Sequence, residues 1–526
     1  MKRTRRARIH DRANGLRHHL AAWDRYGFAR LMRAEFTKFR TVRAWMIALC
    51  AAAMVFVLLS FLSAFESHAP SSAIPTGPDG EAVSDTYMFV HQTLAGDGTL
   101  TASVNSLSGA HSSPSGTSGI AISQSSNGGP RSQPRAGLAP WAKAGIIVEP
   151  DTRQGTAYAA VMVTGSHGVQ MQYDYTHDRP GLAGLAGSSV PRWLRLTRAG
   201  DVITGYDSAD GSHWDKIGTA CLTSLPRNVQ IGLFVTSPVY FAARAGSGTP
   251  SVATANFDHI STRDEFPRRS WTGDPVAGFY PTGPSASTWQ QRSAGAFTIT
   301  GSGDIAPLVG DIISPAWSGA SIVNGTIAAL LFVIVLAALF VTSEYRRKLI
   351  RTTFTAASPR RSRVLAAKAI VAGSLAFAAG ATATAIAEVI TRHILAANGN
   401  YLFPQSAPAL ARVIIGTGLF LGLAAALVVA LGTMLRRSAV TVAAGIILLV
   451  LPGILGSESG NWLMRFTPTA AFAIQATLPR SSLVTSAYTP PNGYFPISPW
   501  AGLAVLAAYT AVALGAALWL LRHRDA

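Results

Sequence analysis

Eight cations crowd the stretch Ser343 to Lys368, SEYRRKLIRTTFTAASPRRSRVLAAK: Arg346, Arg347, Lys348, Arg351, Arg360, Arg361, Arg363 and Lys368, against the single acid Glu344. Guanidinium and ammonium groups in such numbers match no catalytic motif here. They pair, either with acidic groups on a protein or with anionic lipid. Leu349, Ile350 and Phe354 add a small apolar face. Ser358-Pro359 ends the local helix, because the residue before a proline is pushed out of the α region. Position explains the cations alone, but only a protein partner also uses the apolar face.

Other chemistry is missing. No GxxxxGK[ST] loop occurs, and none of the six lysines (Lys2, Lys38, Lys143, Lys216, Lys348, Lys368) stands in a phosphate-cradling context. HExxH, CxxC and GxSxG are absent as well. The two cysteines, Cys50 and Cys221, fall in unlike surroundings, so neither a disulfide framework nor a metal site follows. The chain is not expected to be an enzyme or to bind a cofactor of its own.

The basic stretch lies between two apolar segments, and a short cationic loop there stays on the cytoplasmic side. Six segments are long enough to cross the ~30 Å hydrocarbon core: 44–65, 321–343, 364–391, 409–435, 438–456 and 499–521. Arg436-Arg437 and Arg522-His523-Arg524 belong inside under the same rule. Lys368 is placed to snorkel from an inner end, and Glu388 lies near an outer end. Residues 1–43 hold thirteen Lys/Arg against Asp11, Asp24 and Glu35. The formal charge of +18 is thus a membrane-proximal excess rather than a soluble basic face, which argues against nucleic acid.

Within that lead, Phe28, Leu31, Met32, Phe36 and Phe39 fall near one face of an amphipathic helix, with Arg30, Arg33, Lys38 and Arg40 free to reach headgroups. A plain extension of the first span is the alternative. The segment Phe466–Leu478 is too short to span and reads as a re-entrant or interfacial helix, or as a loop.

Residues 66–320 are then external. Residues 66–86 read as a linker, 87–262 as a β-sandwich with a low-complexity Ser/Gly loop at 106–138, and 263–320 as a membrane-proximal extension. The strand signals are alternating runs bounded by turn residues: 99–107, 142–150, 157–165, 168–176, 192–200, 201–209 and 229–237. Asp210-Gly211 is a favoured hairpin dipeptide. Trp141 and Trp193 are expected in the core.

AEFTKFRTVRAW (Ala34–Trp45), the Ser343–Lys368 stretch and the closing SPWAGLAVLAAY and LWLLRHRDA resemble the type-2 ABC exporter permeases of actinobacteria. The resemblance covers 28–65 and 321–526. It implies a bacterial plasma-membrane permease, with both termini cytoplasmic, that pairs with an identical or related permease. ATP would be bound by separate cytoplasmic ATPase subunits docking on the loop. Carried over by position, Glu344, Arg346, Thr352, Thr353, Pro359, Arg363 and Lys368 would lie at that coupling surface, beside Arg347, Leu349, Ile350, Arg351 and Phe354.

GDGTLTASVNSL, WAKAGIIVEP, RWLRLTRAGDVITGYDSADGSHWDKIG and VQIGLFV resemble concanavalin/laminin-G-type jelly-roll domains, many of which bind carbohydrate. Exposed rings and amides would serve such binding, with Tyr173, Tyr175, His177 and Asp178 the favoured cluster and Trp193, Tyr206 and Trp214 as further rings. The fold expected is six transmembrane helices with an extracellular all-β sandwich inserted between the first two. The function expected is an ABC exporter permease; the alternative is a membrane-anchored glycan-binding or sensor protein.

Overall fold

The computed structural model describes residues 27–67, 74–112, 134–181, 191–240, 249–264, 270–276, 287–293, 295–308, 318–346, 361–459, 461–478, 493 and 495–523. The chain divides into two compact units. One is helical, built from Met1–His68, Pro315–Pro479 and Tyr488–Ala526. The other, Ala69–Ser314 with Arg480–Ala487, is β.

In the helical unit, α1 (27–41) leads into α2 (Arg43–Phe65) across a single extended residue, Val42. Then come α3 (Ser318–Arg346), α4 (Arg361–Ala397), α5 (Ala407–Leu435), α6 (Ser438–Leu449), α7 (Leu451–Ser459), α8 (Asn461–Phe466) and α9 (Pro499–His523). Among the described residues, six helical stretches are long and apolar enough to cross a membrane: Arg43–Phe65, Ser321–Tyr345, Ser362–Ala397, Ala407–Leu435, Ser438–Leu455 and Pro499–His523. The third runs further than the hydropathy implied. It stops only where Gly399 takes φ 76° and the Gly399 and Asn400 amides cap the carbonyls of Ala396 and Leu395.

Two breaks shape this unit. Arg436 ends α5 in the left-handed region (φ 58°), where a glycine is the usual choice, and α6 restarts two residues on. The fifth apolar stretch bends at Val450, next to Pro452, whose ring removes one helical amide donor. Phe420, Val428, Leu330, Ile334 and Leu506 lie in the common core.

The segment 466–478 is no surface loop. Pro468–Gln475 forms a 3-10 helix with every residue buried. Gln475 Nε2 donates to Thr326 Oγ1 (2.6 Å) on α3 and to Thr417 Oγ1 (2.9 Å) on α5. Gly416 leaves the space that Ile474 fills.

Among the described residues, the β unit is two large antiparallel sheets face to face, with a separate two-stranded pair. Its strands are β1 (Val83–Asp85), β2 (Tyr87–Ala95), β3 (Gly98–Ser112), β4 (Pro134–Ala136), β5 (Lys143–Glu149), β6 (Ala159–Thr164), β7 (Val169–Tyr173), β8 (His177–Pro180) and β9 (Arg192–Ala199). They continue as β10 (Val202–Ser208), β11 (Asp215–Cys221), β12 (Asn228–Thr236), β13 (Ser251–Asp264), β14 (Thr272–Val276), β15 (Thr288–Ser293), β16 (Ala296–Gly301) and β17 (Ile305–Pro307). One sheet runs β11-β10-β9-β3-β13-β16-β15 with β4 beside β3; the other runs β14-β2-β12-β5-β6-β7-β8. Between them, Val90, Ile146, Val161 and Leu233 of one sheet meet Leu100, Leu196, Phe257 and Ile299 of the other.

All seven strand signals in the sequence fall on strands, but the outline needs three corrections. β14, β15 and β16 belong to the sheets, so the sandwich reaches well into the expected 263–320 extension. Residues 106–112 continue β3 rather than opening a loop. The 74–86 segment is no free linker: β1 pairs with β17, with Val83 opposite Pro307 and Asp85 opposite Ile305. β14 and β15 are exposed edge strands, so neither face carries the apolar repeat by which a strand is read from sequence.

Candidate functional site

Described residues at the two ends of the basic stretch and in α1 form a cluster of four charges, three of them buried. Glu344 stands near the C-terminus of α3 and Lys368 in the first turns of α4, on either side of the connection. Glu35 and Lys38 come from α1. Lys368 Nζ donates to Glu344 Oε1 (2.6 Å) and Glu35 Oε2 (2.8 Å). Lys38 Nζ donates to Glu35 Oε1 (3.1 Å) and Glu344 Oε1 (3.3 Å). Two carboxylates face two ammoniums, so the cluster is formally neutral, which is the condition for burying charge without large loss.

Burial grades outward. The Glu35 side chain is 0% exposed and that of Lys368 2%, whereas Lys38 is 42% exposed. Burial alone would lower the Lys38 pKa, but Glu344 and Glu35 beside it outweigh that, and it ends raised. Lys38 therefore stays charged at neutral pH. Glu344 Oε2 has no hydrogen-bond partner among the described residues.

The helix that delivers Glu35 is placed by packing. Leu31 joins Val364 and Ala367 of α4, flanked by Phe28 and Met32. Phe39, Trp45 and Phe340 pack as a ring triad with centroids 5.3–5.8 Å apart, fixing α1 and the start of α2 against α3. The Lys368 ammonium also lies 5.0 Å from the Phe340 ring centroid. Nearby, the Arg436 guanidinium lies over the Tyr345 ring, bringing the α5–α6 turn to the same end of the unit.

Two expectations change here. The buried face of α1 includes Glu35, while Phe36 is 45% exposed. Phe36 and Glu35 are neighbours a helical step of 100° apart, and pairing with Lys368 decides which of them faces inward. Lys368 does not snorkel out of the bundle, because two carboxylates hold its ammonium inside. Glu388, near the opposite end of α4, is also buried, with Arg392 Nη1 3.7 Å away.

Of the proposed coupling residues, Glu344 and Lys368 meet directly. Arg346 closes α3, and Arg363 lies on the first turn of α4. Arg347, Leu349, Ile350, Arg351, Thr352, Thr353, Phe354 and Pro359 lie outside the described residues. Glu35 and Lys38 were missed as site residues. The signal available was Glu35, the one acid within the otherwise basic helix 27–41, spaced with Leu31 and Phe39 on one helical face.

The second candidate cluster does not hold together. Tyr175 is 1% exposed, packs edge-on against Tyr158 and donates to Asp85 Oδ2 (2.8 Å). It is a core residue, with Asp174 and Tyr175 both at positive φ to turn the ring inward. Tyr173 stacks on His177 (4.5 Å), and His177 and Asp178 are exposed. Asp178 accepts from Gln172 Nε2 (2.7 Å). Trp141 and Trp193, expected in the core, are each half-buried and stacked on His167 and His259. Trp193 also lies against Gly211, where a side chain would strike its ring. Arg195 covers Trp214 at 3.7 Å.

The chain thus combines a helical unit, with six described stretches long and apolar enough to cross a membrane, and a β unit that follows the first of them in sequence. No family model matches the chain, and no curated protein matches it. Among solved structures, a functionally unknown protein from Saccharomyces cerevisiae is 16% identical, over 38% of this chain and 86% of that one, with a TM-score of 0.22. A mutant of the GH43 protein BlXynB from Bacillus licheniformis is 14% identical, over 31% and 27%, with a TM-score of 0.18.

Proposed function

We propose that this chain is the membrane permease subunit of an ABC exporter in a bacterial plasma membrane. Its termini are cytoplasmic, and its jelly-roll-type sandwich is external. A separate ATPase, docking on the 344–363 loop, supplies the energy. The reading is carried by the four-charge cluster. It ties α1, the end of α3 and the start of α4 together on both sides of the loop, so that a push on the loop is delivered to three helices at once. A low-dielectric ionic contact is stiff and has few alternative geometries, which suits transmission of force. The chain works as an identical or related pair, and its own role is to change helix packing, with ATP chemistry done by the ATPase.

Purification in mild detergent tests this. A Walker-type ATPase is expected to co-purify. Arg346→Glu with Arg351→Glu is expected to leave the complex assembled while separating ATP hydrolysis from transport. Normal transport by the doubly reversed complex overturns the coupling role. Absence of any ATPase from the purified complex overturns the permease reading.

A further inference from the structure

The outward face of α1 is left with one sign of charge. Arg30, Arg33 and Arg40 are exposed on it, and Arg43 follows just past Val42. The only acid between residues 27 and 43 is Glu35, which is buried in the four-charge cluster. None of the four arginines has an ion pair among the described residues. At 100° per residue, Arg40, Arg33 and Arg30 fall within about a quarter of the helix circumference, with Thr37 among them and Phe36 at the margin. The hydroxyl of Thr37 is spent on Arg33 O (2.7 Å), so the face offers cations and an apolar ring, not neutral hydrogen-bonding groups.

Depth is set by the covalent chain. A single residue separates α1 from α2, which carries no charge after Arg43, and Phe39 and Trp45, on either side of the break, both pack on Phe340. If α2 crosses a bilayer, α1 lies where the hydrocarbon ends and the phosphates begin. Exposed Phe36 and Val42 can enter the acyl boundary there, while the guanidinium groups, which fork onto phosphate oxygens, meet headgroups.

We propose that this face of α1 binds anionic phospholipid headgroups in preference to zwitterionic ones. Lys38, on the flank between that face and the buried cluster, is half-exposed and shares its ammonium between Glu35 and Glu344. It is the group through which headgroup charge reaches the cluster. The inference rests on the bilayer placement of the helices but not on an ATPase partner.

The test uses the full chain in mixed phosphatidylglycerol and phosphatidylcholine bilayers. Cys50→Ser and Cys221→Ser remove the two native thiols, and Thr37→Cys carries a fluorophore. At equal mole fraction, brominated phosphatidylglycerol is expected to quench the label several-fold more than brominated phosphatidylcholine. Each cation near the surface favours anionic lipid appreciably, and added salt should shrink the ratio. Arg30→Gln, Arg33→Gln and Arg40→Gln together should bring the ratio to one. Arg436→Gln with Arg437→Gln should leave it unchanged.

A ratio of one in the parent protein overturns the proposal, as does a ratio that survives the triple change. A label shielded from both lipids, as by an acidic protein surface covering the face, overturns it too. Failure of the chain to enter bilayers at all would instead count against the membrane reading.

Discussion

The two units bury ionised groups by different means. The helical unit surrounds Glu35 and Glu344 with Lys368 and Lys38, so each carboxylate has a cation within 3.3 Å. The β unit does this where Lys143 Nζ meets Asp304 Oδ1 at 2.8 Å and also donates to Ile305 O. At Asp85 and Glu149 the described donors are neutral. Asp85 accepts only from the Gly155 amide (2.9 Å) and the Tyr175 hydroxyl (2.8 Å), and Glu149 only from Tyr87 (2.5 Å). Gly155 can donate there because its φ of 80° and its lack of a side chain let it pass Thr76. Burial pushes Asp85 up to about 6 and Glu149 well above the usual carboxylate range. Neutral donors soften the loss of water, but they do not replace a counter-charge.

The contrast breaks most visibly at Lys368. Lys368→Met leaves two buried carboxylates with only Lys38 between them, and should cost about 3–5 kcal/mol. Loss of the folded helical unit on heating checks this, and Glu35→Gln added to the same chain should recover part of the loss. An unchanged melting temperature for Lys368→Met would mean that charge balance does not hold this end together.

At Asp85 the opposite is expected. The unfolded carboxyl ionises near 3.8 and the folded one only near 6. Stability should therefore fall as pH rises from about 4 to above 6, by about 3 kcal/mol at ~1.4 kcal/mol per unit. Asp85→Asn keeps an acceptor for Gly155 and Tyr175 and should remove Asp85's share of that slope, leaving the part due to Glu149 and a sandwich more stable at pH 7.5. Hydrogen exchange of the β1 and β17 amides across this range checks it, after correction for intrinsic rates. A slope undiminished in the variant would place the whole titration on Glu149.

Tyr87→Phe takes away the one donor to Glu149 and should cost about 1–3 kcal/mol, read as faster exchange in β2 and β5. Smallest is Arg153→Ala. Its pair with Asp151 is exposed, at 2.7 Å, and the variant should be indistinguishable from the parent in the same exchange experiment.

Much of the fold was legible because its signals are local. A run such as AWMIALCAAAMVFVLLSF is apolar whatever it packs against, and the pattern of RWLRLTRAG reads as a strand without knowledge of its neighbours. Of the strands that were missed, β14 and β15 are exposed edge strands with weak alternation and β17 is three residues long, whereas β16, AFTITG, carries an alternating pattern that was overlooked. At the site, Tyr175 looked exposed within a polar run, YDYTHD. Two successive positive φ values at Asp174 and Tyr175 turn it into the core, and a residue pattern does not carry a dihedral angle.

By itself the sequence determined the apolar stretches, their order, the β insertion between the first two, and the concentration of cations at one set of helix ends. These follow from residue type and run length. Only the tertiary structure decided that Glu35 faces inward in place of Phe36, and that Lys368 is a buried counter-ion. The two are 333 residues apart, and nothing in either neighbourhood names the other. A buried charge is tolerable only where its complement is brought within hydrogen-bond distance, and that distance is a property of the folded chain.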